Sequence, residues 1–366
     1  MKAQLRQRIV ILHQSIGLII GILFAIVGVT GSLLVFGREI DQWLLSWQIG
    51  SIVPKGQWLD PESILKIVKA AYANRPELKL DAIEFPRLPT LPYIVWLDAD
   101  ERQFQVFLNP YSGKILSDRW RDQSFFGFLL VFHYSLMAGQ IGMTMIGIVA
   151  FLVCILSITG MVLWTGWKKL ANGFKIKWNG HYKRLNFDLH KVSGMIAAAF
   201  LIVTAFTGFC WNFYDFTEPL IYAATFTPTH TEAVSTVIPK RSPLRPNAIW
   251  QKASVTLPEA MSTRIRIPSS PDGVFTVFKR LPEDHSSYNN YVEFDQYSGK
   301  VLQIRDRRSL PLGDRILHDF EVAHFGTFGG LPTRILYVFV GLAPTILLIT
   351  GFIIRRPQKT SKSRLG

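Results

Sequence analysis

Four apolar stretches limit what this chain can fold into: residues 9–36, 143–164, 192–213 and 332–354. Each supplies the roughly 20 mostly apolar residues that a helix needs to cross a ~30 Å hydrocarbon core. The composition agrees. Charged residues make up 18% of the chain, below the roughly 25% of an ordinary soluble domain, and the mean hydropathy is +0.22. Disorder, coiled coil and collagen are excluded, because each needs a polar or periodic composition that is absent. The first stretch follows Lys2, Arg6 and Arg8, as a signal peptide would. It is too long for one and has no small-residue cleavage site before Arg38, so it reads as an uncleaved span. Cys154 and Cys210 both sit in apolar runs. They form neither a disulfide framework nor a Cys-x-x-Cys-His site for covalent haem.

The formal charge of +14 invites a nucleic-acid reading until the charges are located. Residues 1–12, 165–191 and 355–366 hold fifteen Lys and Arg against one acid, Asp188. The other 25 basic and 25 acidic residues cancel. A basic excess confined to the flanks of spans marks the cytoplasmic side, so no nucleic-acid partner is called for. The layout expected is a cytoplasmic N-terminus and first span over 1–36, an external domain over 37–130 and a pre-helix with the second span over 131–164. A basic cytoplasmic loop follows over 165–189, then the third span over 190–213 and a second external domain over 214–317. A pre-helix with the fourth span covers 318–354, and a cytoplasmic tail covers 355–366. Trp43, Trp47, Trp164, Trp167 and Trp211 fall near span ends, where an aromatic belt is expected.

The chain also repeats itself. His13 precedes Thr30-Gly31 by the same offset with which His190 precedes Thr207-Gly208. His133 precedes Thr159-Gly160 as His324 precedes Thr350-Gly351. Between the spans, Tyr111-Ser-Gly-Lys echoes Tyr297-Ser-Gly-Lys. The unit is span, external domain, span, and it occurs twice. Within each external region a short helix is expected, at residues 60–73 with Asp60 as N-cap and at 247–253 after Pro246. Alternating strands are expected at 93–97, 104–108, 275–278 and 291–294, with Gly113 and Gly299 in tight turns.

These features resemble the PepSY-associated transmembrane family, and the helix-plus-sheet modules resemble the PepSY domain. The similarity runs from His13 to Gly351. The resemblance implies an α-helical membrane protein of four transmembrane helices in two pseudo-repeats, with two α+β PepSY-like domains outside the cytoplasm. It also implies the bacterial inner membrane and an activity like that of ferric-siderophore reductases that hold b-type haem.

The repeated histidines give that implication a chemical form. His13 and His190 both open spans that run outward, so they lie at one depth. His133 and His324 both precede spans that run inward. Like then meets like, and two imidazoles facing each other across helices are what bis-histidine haem needs. Two haems are expected, with roughly 20 Å between centres given the ~30 Å core. A continuous helix would put His133 about 39 Å from Thr159, beyond the core. Breaks are therefore expected at residues 138–142 and 326–330. His318 competes with His324 for the outer position. Arg8 and Lys191 are expected near inner propionates, and Arg119, Arg121 or Arg334 near outer ones. Gly17, Gly28, Gly31, Gly194 and Gly208 suit either a flat porphyrin or close helix packing. Nearby methionines read as packing. His181, His230 and His285 read as surface residues.

No Gly-x-Gly-x-x-Gly follows a strand and no P-loop is present. The electron donor is then another protein such as a separate reductase, a quinol or a diffusible reductant, and the resemblance implies a ferric siderophore or other ferric chelate as acceptor. No catalytic side chain is assigned, since delivering one electron needs none. Two alternatives stand beside this: a haem-free PepSY regulatory or binding membrane protein, and a membrane electron-transfer partner of another reductase.

Overall fold

The computed structural model describes residues 3–100, 102–282 and 290–356. His285 and the tail residues Lys359, Lys362 and Arg364 lie outside the described residues. The chain divides into two units, one helical and one built on a sheet.

The helical unit takes residues 3–36, 129–218 and 323–356 of those described. Four helices are long and apolar enough to cross a membrane: α1 Ala3–Leu34, α5 Gly139–Leu163, α7 Tyr182–Asn212 and α11 Leu331–Arg355. They coincide with the four apolar stretches, but α1 and α7 reach further back into the basic flanks. Between them come α2 Gly37–Ile49, α3 Pro61–Ala71, α4 Phe125–Ser135, α6 Leu170–Phe174, α8 Tyr214–Thr225, α9 Pro246–Val255 and α10 Leu312–Phe325. Ile20 and Phe24 of α1, Val153 of α5, Leu201 of α7 and Val340 of α11 share one core. Small residues let the backbones approach, which is how helices associate in lipid. A Cβ at Gly28 would lie 2.4 Å from the Gly341 carbonyl oxygen, and the Ser32 hydroxyl donates across to the Val338 carbonyl at 2.8 Å.

Helix α4 ends at Ser135, and Leu136 and Met137 take positive φ before α5 begins at Gly139, so the first break falls at 136–138 where 138–142 was expected, because residues 139–142 already form the first turn of α5. The second break falls at 326–330, as expected. Helix α10 ends at Phe325, and Gly326 and Gly330 take positive φ before α11. Gly326 is required twice over, since a Cβ there would also strike the Tyr337 ring at 2.4 Å. The tryptophans diverge from a uniform belt. Trp43 and Trp47 are exposed on α2, whereas Trp164 is buried against Gly166 and Gly173.

The sheet unit takes residues 37–128 and 219–322, apart from those not described. Its strands are β1 Lys79–Glu84, β2 Tyr93–Ala99, β3 Arg102–Leu108, β4 Ile115–Trp120, β5 Met261–Arg266, β6 Val274–Arg280, β7 Asn290–Asp295 and β8 Val301–Arg305. They form one antiparallel sheet in the order β4-β3-β2-β1-β5-β6-β7-β8. The two regions between spans therefore share a sheet where separate modules were expected. The seam is β1 against β5, with Ile83 opposite Ile265 and both fully buried. Asp81 pairs across it with Arg264 at 2.8 Å. Neither strand was evident in the sequence, because each carries charges on its second face and owes its pairing to a partner about 180 residues away.

Alternation puts Val95 and Leu97 of β2, Phe104 and Val106 of β3, and Val277 of β6 on one face. Helices α3 and α9 cover that face with Ile64, Val68, Ile249 and Ala253. Gly113 and Gly299 take positive φ in the two Tyr-Ser-Gly-Lys turns.

Asp60 caps α3 as expected, accepting from the Ser63 backbone at 3.1 Å, and it also accepts from the Asn247 side chain on α9 at 2.6 Å. Burial alone would raise its carboxyl pKa. The donors from Asn247 and Ser63 outweigh this and hold it at about 2. A lowered carboxylate stabilises the fold above its ordinary pKa near 3.8, and that contribution is lost as pH falls through about 2. Asp60→Ala should cost about 1 kcal/mol at neutral pH. It should also flatten the stability of the protein between pH 4 and 2, as followed by denaturant unfolding.

Candidate functional site

A ring nitrogen buried among apolar helices needs a hydrogen-bond partner. Each of the four repeated histidines gives its Nδ1 the same kind of partner, the threonine of a Thr-Gly pair borne by another helix. His13 of α1 meets Thr159 of α5 at 2.9 Å, and His190 of α7 meets Thr350 of α11 at 2.9 Å. His133 of α4 meets Thr30 of α1 at 3.0 Å, and His324 of α10 meets Thr207 of α7 at 2.7 Å. All four bonds use Nδ1.

The threonine geometry decides the direction of these bonds. Each hydroxyl already donates to backbone carbonyls one turn back, as Thr159 does to Ile155 at 2.8 Å and Leu156 at 3.0 Å. Thr30, Thr207 and Thr350 do the same. A hydroxyl has one proton, so the threonine oxygen accepts and Nδ1–H donates. Every Nε2 then carries its lone pair outward.

The glycine after each threonine makes room for the ring. A Cβ would stand 3.0 Å from His133 Cε1 at Gly31, 3.2 Å from His13 at Gly160, and 3.4 Å from His324 at Gly208 and from His190 at Gly351. Of the glycines singled out in the sequence, Gly31 and Gly208 seat imidazoles, while Gly17, Gly28 and Gly194 meet neighbouring helices. Sequence reasoning used Thr-Gly as a repeat marker and missed this role. The signal was there, since four threonines matched four histidines.

The structure brings His13 to His190 and His133 to His324. Ring centroids are 6.3 Å apart in both pairs, with planes at 84° and 82°. Two metal–imidazole bonds of about 2 Å, plus a ring radius of about 1.1 Å at each end, span about 6.2 Å. The centroid spacing of each pair matches that span. Among the described residues no group of three or more His, Cys, Asp or Glu could hold a metal ion. The remaining ligands would have to come with the metal, as a porphyrin brings four. The outer pair opens on an apolar cavity of about 320 Å³ that His133 and His324 line with Phe24, Trp211 and Tyr337. Sites for small organic ligands start near this size. Along α1, 17 residues separate His13 from Thr30, so the two levels lie about 25 Å apart.

The other candidates fare differently. His318 is a third of a turn around α10 from His324 and bonds Asp319 at 3.3 Å instead of joining His133. Its Nε2 is buried without a hydrogen-bond partner. Lys191 has no proton left for a propionate. Its three go to Asp188 at 3.0 Å and to the carbonyls of Asn172 and Lys175, both at 3.1 Å. Arg8 is exposed on α1. Arg119 binds Gln105 and Asp41, Arg121 binds Gln103, and Arg334 binds the Val35 carbonyl. His230, read as a surface residue, donates to buried Asp314 at 2.8 Å, which also accepts from Tyr222 and Arg305. This cluster fixes the first turn of α10, and no local pattern announces it because its members lie up to 92 residues apart.

A family model described as the PepSY-associated TM region matches residues 10–355. The chain belongs to this family. No curated protein matches it. The match spans all four membrane helices, both histidine pairs and the sheet of this PepSY-associated protein.

The Asp188–Lys191 pair has side-chain exposures of 0% and 5%. Removing one partner of so buried a pair costs about 3–5 kcal/mol. Asp188→Ala should lower the thermal unfolding temperature in detergent sharply, and adding Lys191→Met should restore much of the loss.

Proposed function

We propose that this protein is a di-haem, b-type electron-transfer protein of the bacterial inner membrane, made of two tandem repeats. Its acceptor is a ferric siderophore or another ferric chelate on the periplasmic side. The observation that supports this most is the pair of imidazole couples, each 6.3 Å apart with Nδ1 committed to a threonine. Both termini and the basic loop are cytoplasmic in this reading, the sheet unit is periplasmic, and the four long helices lie in the lipid bilayer.

His13 and His190 would hold the inner haem, and His133 and His324 the outer one. Each haem would supply a one-electron Fe(III)/Fe(II) couple. The protein's share is positional. Four helices hold the two pairs at fixed depths, apolar walls exclude water, and Trp211 lies against the His324 ring at a centroid distance of 4.8 Å. Fe(III) is the harder ion and is held more tightly by oxygen donors, so a chelate that accepts one electron loosens its iron. The donor is a quinol or a partner reductase.

The purified protein should be red, with reduced b-type bands and about two haems per chain. His13→Ala or His190→Ala should remove one haem, His133→Ala or His324→Ala the other, and His318→Ala neither. Anaerobic reoxidation of the reduced protein by a panel of ferric chelates tests the acceptor. A folded, colourless protein would overturn the proposal. Failure with every chelate would leave a membrane partner of another reductase.

A further inference from the structure

The four threonines do more than satisfy a nitrogen. We propose that Thr30, Thr159, Thr207 and Thr350 are positioning residues that fix the tautomer of each histidine and set the reduction potential of the iron it faces. This rests on the haem reading above and deepens it.

A carboxylate or carbonyl hydrogen-bonded to the far ring nitrogen commonly fixes the tautomer of a metal-bound histidine. Here the side-chain partner is a neutral hydroxyl in all four cases, its proton already spent on its own helix, and the backbone carbonyl three residues before that threonine also faces the ring. Oxygen that donates is a stronger acceptor in turn, because such bonds polarise one another. Electron density is thus pushed through the ring toward Nε2 without any added charge. A more electron-rich ligand favours Fe(III) over Fe(II) and holds the potential down. A full carboxylate would push harder and bury a charge in the membrane, which is costly. Threonine is the arrangement that orients the ring and stays neutral.

The crossing pattern makes the proposal specific. Thr30 lies on α1, which bears the inner ligand His13, yet it serves the outer ligand His133. Thr207 lies on α7, which bears His190, yet it serves His324. A merely structural threonine would disturb the helix it sits on. A positioning threonine acts on the centre at the other end of that helix.

The test is potentiometric titration of the detergent-purified full chain, with haem content read alongside. Thr30→Val and Thr207→Val should raise the potential of the outer haem alone and weaken its retention by about 10–100-fold, the usual effect of losing such a partner. Thr159→Val and Thr350→Val should do the same to the inner haem alone. Thr→Ser should restore wild-type behaviour at each position. Unchanged potential and retention in the valine variants would overturn the proposal, as would a shift in Thr30→Val or Thr207→Val confined to the haem ligated by the same helix. The wild-type protein gives a second measurement that needs no variant to fold. In the diamagnetic ferrous state with ¹⁵N-labelled histidine, all four ligand rings should be protonated at Nδ1. A ligand ring lacking that proton would also overturn it. Wild-type protein without bis-imidazole bands would instead refute the haem reading itself.

Discussion

The hydrogen bond between an imidazole Nδ1 and a threonine hydroxyl is the interaction on which the helical unit depends. Lipid offers no partner for a ring nitrogen, and an unsatisfied one there costs several kcal/mol. Each histidine is therefore bound to find its acceptor on another helix. Because the four bonds run α1 to α5, α7 to α11, α4 to α1 and α10 to α7, they also tie the helices to one another. The glycine beside each threonine is the steric half of the same device.

Two requirements follow for the segments between spans. A histidine that must reach Thr30 or Thr207 cannot lie on a straight continuation of α5 or α11. The chain has to stop and turn, which is why non-glycine residues Leu136 and Met137 take positive φ. Such conformations are uncommon away from glycine. The second break uses Gly326 and Gly330 instead, so the two turns reach one result with different residues.

Much of this was legible in the sequence because it is coded by position along one segment. Span length, the offsets from histidine to Thr-Gly, the cap at Asp60 and the break at 326–330 are all local patterns. What was not legible depends on partners far apart in the chain. No local pattern says that Thr30 serves His133, that Asp314 is met by His230, or that Lys191 is saturated by Asp188 and two carbonyls. The basic residues near the pairs looked available for propionates, and the structure shows Lys191, Arg119 and Arg121 already engaged. The seam of the sheet was hidden for the same reason.

That seam has its own geometry. Ile83 faces Ile265, which holds the same place in β5 that Ile83 holds in β1, while Ala82 faces Arg266 and Glu84 faces Arg264. Reciprocal pairing of this kind is the mark of an isologous contact about a two-fold axis. A chain carrying one half alone would leave the β1 edge open, a standing invitation to another strand. Its natural closure is a second copy of itself. In that homodimer each copy would give one histidine to each couple, so the couples would exist only in the assembled pair. Joining the halves in one polypeptide turns a concentration-dependent assembly into an intramolecular one.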